Sequence, residues 1–347
     1  MVEPPLNSKQ LVRLTLRGDP TPRIATGPLA VHYCATISGL SLRRYTTDAQ
    51  ALAESVIRYY ERFRPDAVWL SADTWVSAEA MGAKVGATGD DQPFGGLGEA
   101  LVQSPQDIDR IPPPDVGRAG RYPLMLEALA RIVGALGDEV FVVACFDQYP
   151  FSLAAALMGL NRIMVTVADD PPFVEALMER CLEYGVAYGR ALSDAGADLL
   201  SGGDSPAGLL GPERYLSTAW PFEKRLIAEL KSGAHQPVSL HICGDATRLL
   251  PSMSATGADV LELDHRVNLR EAARRVDPAL TIWGNLDPVG VLAQASPAAV
   301  AVAAAEAIGA MRAGGHRRFV LSSGCTLAME TPAENLEALL QAGRQTA

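Results

Sequence analysis

Eight short apolar runs, each followed by a stretch of helical periodicity, constrain this chain more than any other feature. The runs fall at residues 23–26, 66–71, 139–146, 198–202, 238–243, 259–264, 280–283 and 318–322. Val, Leu, Ile and aromatic residues bounded by Gly, Pro or Asp mark them as buried strands. Strands alternating with helices imply a parallel sheet with right-handed crossovers. Eight such units in 347 residues fit an α/β fold of the (β/α)8 barrel type better than an open doubly wound sheet. Barrels reach this size as one unit, so one domain over residues 1–347 is expected.

Helix start signals support the alternation. Asp170-Pro171 offers an N-cap with Pro at the first helical position, ahead of the periodic run 173–192. Ser296-Pro297 does the same for an Ala-rich helix that Gly314-Gly315 would stop. Thr331-Pro332-Ala333-Glu334 reads as a capping box opening the last helix. One stretch departs from a minimal barrel: residues 74–122 hold Gly82, Gly86, Gly89, Gly95, Gly96, Gly98 and Pro112-Pro113-Pro114. Long insertions of this kind are usually lids or binding segments, so it is expected over the barrel mouth. Its Gly95-Gly96-Leu97-Gly98 cluster follows no convincing strand and is a poor phosphate loop.

Charge and cysteine content narrow the function classes. A formal net charge of −10 and the lack of basic runs argue against nucleic acid and anionic membrane surfaces. No secretory signal pattern opens the chain, and the Ala-rich run is too short to span a bilayer, so a cytoplasmic location is expected. Five scattered cysteines, Cys34, Cys145, Cys181, Cys243 and Cys325, make no disulfide framework. Cys181 and Cys145 read as core residues.

The chemistry gathers at the strand ends. His241 and Cys243 close the fifth run two residues apart, so on a strand they point to one face. Cys325 closes the eighth run, and a Gly sits beside each cysteine. One imidazole and two thiolates suit zinc, and three protein ligands leave a fourth position open, as in catalytic sites. Asp204, within Gly202-Gly203-Asp204-Ser205-Pro206, is expected at the site because the glycines allow close backbone approach to a ligand. Asp264 follows the sixth run and is the candidate for a fourth, exchangeable ligand, with a structural role as the alternative; Asn285 follows the seventh, and Asp264, Asp204 and Asn285 are the expected catalytic residues. His265 and His316, each beside an Arg, read as solvent-exposed.

His241-Ile242-Cys243-Gly244-Asp245, Gly284-Asn285-Leu286-Asp287-Pro288, Ser323-Gly324-Cys325 and Thr331-Pro332-Ala333-Glu334-Asn335-Leu336 together resemble the uroporphyrinogen decarboxylase superfamily. Ala80-Met81-Gly82-Ala83-Lys84-Val85 adds to the likeness, which spans most of the chain. Within that superfamily the His-x-Cys pair plus a late Gly-Cys is similar to the zinc-dependent, corrinoid-linked methyltransferases and demethylases. The resemblance implies a (β/α)8 barrel with His241, Cys243 and Cys325 as zinc ligands. It also implies a methyl group moving between a small substrate (methyl ether, methanol-type or thiol) and a corrinoid, cobalamin, carried on a separate protein or free. A homo-oligomer is compatible with it. The decarboxylases carry an Arg-rich signature near the first strand, whereas residues 24–40 here hold no Arg or Lys. A substrate with many carboxylates would want Arg partners, which weakens the decarboxylase alternative. A non-catalytic zinc- or corrinoid-binding protein is the other alternative.

Overall fold

The structure, a computed structural model, describes residues 6–86, 91–95, 99–233 and 236–346. All eight expected strands form: β1 Ala25–Thr26, β2 Ala67–Leu70, β3 Phe141–Gln148, β4 Leu199–Gly203, β5 Ser239–Ile242, β6 Val260–Leu263, β7 Thr281–Leu286 and β8 Phe319–Ser323. They pair in parallel in the order β1-β8-β7-β6-β5-β4-β3-β2, with helices between successive strands, as a (β/α)8 barrel requires. A two-residue β1 cannot supply a full ladder to β2, and Asp66 bridges that seam. Its amide donates to Thr26 O at 2.9 Å, and its carboxylate accepts from the Thr26 amide at 2.9 Å. Arg23 grips the same carboxylate with two hydrogen bonds of 2.7 and 2.6 Å.

The pleat sorts each strand into two faces. Along β3, Val142, Ala144 and Phe146 join the outer core against the helices, while Phe141 and Val143 join a separate inner cluster. That inner cluster also takes Trp69, Leu199, Val260, Trp283 and Val320, and helix Ser8–Arg17 adds Leu11 and Val12. These residues lie toward the strand starts, so the N-terminal end of the barrel is packed shut. Gly27 is required there: a Cβ would stand 2.3 Å from the Trp283 ring. Its carbonyl accepts from Trp283 Nε1 at 2.8 Å, Ser322 Oγ at 2.8 Å and Trp69 Nε1 at 3.3 Å. Toward the strand ends the inward residues turn polar: Ser201, Ser239, His241 and Glu262. Polar side chains open the mouth.

Two expected caps form. Asp170 accepts from the Phe173 amide at 3.3 Å at the head of helix Pro171–Asp194, and Ser296 from the Ala299 amide at 3.3 Å at the head of helix Pro297–Ala313. The third does not. Helix Ala333–Arg344 begins with Pro332 as its N-cap, which leaves Thr331 outside and its hydroxyl without a partner. Asn335 secures this end instead, donating to Leu292 O and Ala295 O at 2.9 and 2.8 Å. His316, expected at the surface, is buried, with Nε2 2.9 Å from Leu280 O.

The long insertion flanks the mouth. Of its glycines, Gly89, Gly96 and Gly98 lie outside the described residues, as does most of the Gly95-Gly96-Leu97-Gly98 cluster. Buried Arg121 staples its two ends together. It pairs with Asp73 through two hydrogen bonds, one of 3.0 Å, and with Glu79, and donates to Thr46 O at 3.2 Å. Among the described residues no single helix is long and apolar enough to cross a membrane.

Candidate metal centre

β5 presents Leu240 and Ile242 to the outer core, so Ser239 and His241 face the barrel interior. Past the strand, Gly244 takes φ 86°, a left-handed turn that ends the run just after Cys243. The β8 loop comes in from the other side. Its Gly324 amide donates to Leu286 O at 2.7 Å, and a Cβ at Gly324 would stand 2.4 Å from the His265 amide nitrogen. Only glycine allows that approach, and it delivers Cys325 to Cys243. Cys243 Sγ lies 2.9 Å from His241 Nε2 and 3.9 Å from Cys325 Sγ. All three ligand atoms fall within 4.8 Å of one another, and this is the group among the described residues able to hold a metal ion.

The spacing and donor chemistry fit zinc. Thiolates about 2.3 Å from a tetrahedral zinc stand about 3.8 Å apart, and a thiolate and an imidazole nitrogen about 3.5 Å apart. The sulfur pair already matches, and His241 Nε2 has only to move outward. His241 Nδ1 is 3.0 Å from Glu262 O, a carbonyl that can only accept, so Nδ1 carries the proton and Nε2 keeps its lone pair for ligation. The thiols are poised unequally. The hydrogen bond with Cys325 outweighs burial and lowers Cys243 to about 7, helped by the Ser205 hydroxyl. The same bond, with burial, pushes Cys325 up to about 12. Burial pulls His241 down, yet its facing Cys325 thiol and Glu262 lift it to about 9 overall. A divalent ion here would be bound by the deprotonated thiols and the neutral imidazole, so its binding would release protons from these groups.

The other expected site residues are placed differently. Asp264 lies outside the three-ligand group. Its Oδ1 accepts from the Arg266 amide at 2.8 Å and sits 3.2 Å from His265 Nδ1, which is exposed as expected. Asp204 is fully buried. Its Oδ1 accepts from the Ser152 amide at 2.8 Å and the Ser152 hydroxyl at 2.6 Å, capping helix Pro150–Met158. Burial raises its carboxyl and that of Glu223, to which the Tyr215 hydroxyl donates. Buried Asn285 donates to Asp264 O at 2.9 Å and Val267 O at 2.7 Å, tying down the β6 turn. Asp204 and Asn285 therefore shape the rim, and neither joins the ligand group.

One residue near the centre escaped the sequence reading, and a second was misread as core. Glu262, buried beneath His241, accepts from Ser201 Oγ at 2.8 Å and from Ser239 Oγ, and burial raises its carboxyl. An acid in the middle of an apolar strand, two residues before Asp264, was the signal. Cys145 sits on the inward face of β3 and is partly exposed rather than core, because the polar upper layer leaves room beside it.

The sequence model of the uroporphyrinogen decarboxylase (URO-D) family matches residues 7–346. The chain belongs to the uroporphyrinogen decarboxylase family. Among its curated relatives in this family, the methylcobamide:CoM methyltransferase MtbA of Methanosarcina acetivorans is 30% identical over 281 residues, covering 80% of this chain and 79% of the relative. The uroporphyrinogen decarboxylase of Frankia casuarinae is 29% identical over 279 residues, covering 77% and 71%. A solved methyltransferase from Methanosarcina mazei superposes with a TM-score of 0.87 at 23% identity, over 98% of this chain and 99% of that one. It bears out the (β/α)8 barrel.

Proposed function

We propose that this family member is a zinc-dependent methyltransferase that moves a methyl group between a small substrate and a corrinoid. The observation that carries the reading is the convergence of His241 Nε2, Cys243 Sγ and Cys325 Sγ within 4.8 Å at the C-terminal end of the barrel, where barrel enzymes keep their chemistry. Similarity to a methylcobamide:CoM methyltransferase supports it. So does the absence of Arg and Lys from residues 24–40, where a polycarboxylate substrate would want partners.

His241, Cys243 and Cys325 would hold the ion. When bound, zinc would hold a thiol substrate as its thiolate, or polarise the oxygen of a methyl ether or alcohol. The chain's own groups do the positioning. Glu262 O fixes the His241 tautomer. Glu262 is itself locked by Ser201 and Ser239, so the imidazole plane is set by β4, β5 and β6 together. The packed inner cluster closes the barrel below, leaving approach from the mouth alone. A flat corrin would meet the substrate there, brought by a separate corrinoid protein or free in solution. Near-attack geometry, with reacting atoms about 3–3.5 Å apart, then depends on how rigidly the rim holds the substrate.

The test is optical. Enzyme is incubated with cobalt(I) cobalamin and a panel of methyl donors, or with methylcobalamin and a panel of thiols, and the cobalt spectrum is followed. A donor- or thiol-dependent change supports methyl transfer. No change across the panel, with uroporphyrinogen decarboxylated instead, makes the chain a tetrapyrrole decarboxylase.

A further inference from the structure

The closed end of the barrel, opposite the metal group, carries a cleft of about 700 Å³. It lies at the strand starts: Phe141 opens β3, Asp198 and Asp259 stand just before β4 and β6, and Arg318 just before β8. Helix Ser8–Arg17 forms one wall with Arg13 and Arg17, and Lys231, in the last turn of helix Ala219–Gly233, stands in another. The packed inner cluster separates the cleft from His241, Cys243 and Cys325. Ligand sites run to roughly 300–1,000 Å³, so a small molecule has room here.

Its charge is the reverse of the chain's. Four cations line it against two carboxylates, in a chain of formal net charge −10. The sheet accounts for the carboxylates. Asp198 Oδ2 accepts from the Val142 amide at 3.0 Å and Asp259 Oδ2 from the Val238 amide at 2.9 Å, so each clips a neighbouring strand, as Asp66 clips Thr26. Their other oxygens are occupied as well: Asp198 Oδ1 by Lys9 and Arg13 at 2.9 Å each, and Asp259 Oδ1 by Lys231 at 2.8 Å. Nothing in the sheet accounts for the remaining arginines. Arg318 has no carboxylate partner among the described residues. It donates through Nη1 to Ala279 O and rests on Gly18, where a Cβ would stand 2.8 Å from its Nε. A guanidinium has five N–H donors, so most of this one's capacity is unused. Arg17 gives only Nε, to Asp19 at 2.7 Å. Arg13 and Arg17 stand one turn apart on the same helix face, a spacing at which like charges repel. An anion between them and Arg318 relieves that repulsion, and a concave basic cleft concentrates anions.

We propose that this cleft is a second binding site, for a small phosphorylated molecule with at least two negative charges, held by Arg13, Arg17 and Arg318. Arginine pairs two N–H groups with two phosphate oxygens at once, and Leu16 and Ala279 offer apolar surface to the organic part. The ligand would tie helix Ser8–Arg17 to the strand starts and stabilise the fold by mass action. The purified full chain is titrated with diphosphate, phosphate and acetate at one fixed ionic strength, by calorimetry and by melting temperature. Diphosphate should saturate at about one per chain and raise the melting temperature. It should bind at least roughly tenfold more tightly than acetate, as several charge-assisted hydrogen bonds against one would give. Arg318→Gln and Arg17→Gln should each weaken diphosphate by roughly fivefold or more. Gln236→Glu keeps the acceptor that Ser193 Oγ reaches at 2.5 Å and adds a carboxylate to the lining, so it should weaken diphosphate with every arginine in place. Arg118→Gln removes one exposed charge from the insertion and should bind as wild type does. Cys243→Ala should also bind diphosphate as wild type does, because the site is not the metal. The proposal is overturned by an absence of saturable binding, by acetate bound as tightly, by Arg118→Gln weakened as much as Arg318→Gln, or by loss of binding in Cys243→Ala. If Arg318→Gln does not fold by circular dichroism, wild-type affinity in both Arg17→Gln and Gln236→Glu overturns it.

Discussion

Each side chain around the metal group has a fixed set of obligations, and these decide what its loss should do. Asp264 engages Arg266 and His265 through Oδ1 and stands outside the ligand group. Asp264→Ala should therefore keep zinc, with affinity falling by no more than about 10–100-fold, the range for outer partners, while turnover changes. Complete zinc loss in that variant, measured by metal analysis, would make Asp264 a fixed ligand. Asp147 supplies a pH test. It is buried at the end of β3, accepts from the Ser77 amide at 2.9 Å through one oxygen and leaves the other without a partner. Burial raises its carboxyl to about 7. An unfolded Asp ionises near 3.9, so between about pH 4 and pH 7 the folded chain binds the extra proton. Stability from this group is then full below that window and is lost as pH rises through it. Asp147→Asn keeps the amide acceptor and tolerates the native φ of 79°. It should raise the melting temperature more at pH 8 than at pH 5, and equal gains at both would contradict the assignment. The inward His241 and the Cys243 just beyond it were readable in the sequence because strand periodicity alone places them, and Cys325 because it closes another strand at the same rim. Asp204 was not, since an Asp after a strand looks the same whether it faces the mouth or caps the neighbouring helix. His316 misled for a related reason: a flanking Arg says nothing about which carbonyl the ring reaches.

Among the elements, strands were the legible part. Apolar runs of four to eight residues between turn signals have few other ways to bury themselves, and all eight fall within a few residues of where the pattern put them. The β1–β2 seam was hidden, because it is closed by the side chain of Asp66 rather than by a ladder. The insertion was visible as an interruption, but its anchoring was not, since Asp73, Glu79 and Arg121 carry no pattern until the chain folds. That anchor gives a prediction. Arg121→Met removes the cation from buried Asp73, and stranding one member of a buried pair costs about 3–5 kcal/mol. Urea unfolding should report a loss of that order. Adding Asp73→Asn should recover part of it, and a loss below about 1 kcal/mol would show that the two ends of the insertion are held by other contacts.

At the scale of the molecule, the barrel's work is to join distant sequence at one rim. Cys243 and Cys325 are 82 residues apart in the chain and 3.9 Å apart at sulfur, and every strand from β4 to β8 contributes to holding them so. The apolar inner cluster makes that scaffold independent of the ion, so Cys243→Ala and Cys325→Ala should fold, with wild-type circular dichroism, while losing most of their zinc. The most direct measurement takes zinc content and the methyl-dependent cobalt spectrum on the same samples of wild type and both cysteine variants. The account predicts about one zinc per chain and a changing spectrum in wild type, with metal and methyl transfer lost together in each variant. Variants that lose zinc yet alter the cobalt spectrum at the wild-type rate, or a wild type that keeps its full spectrum unchanged while decarboxylating uroporphyrinogen, would contradict it.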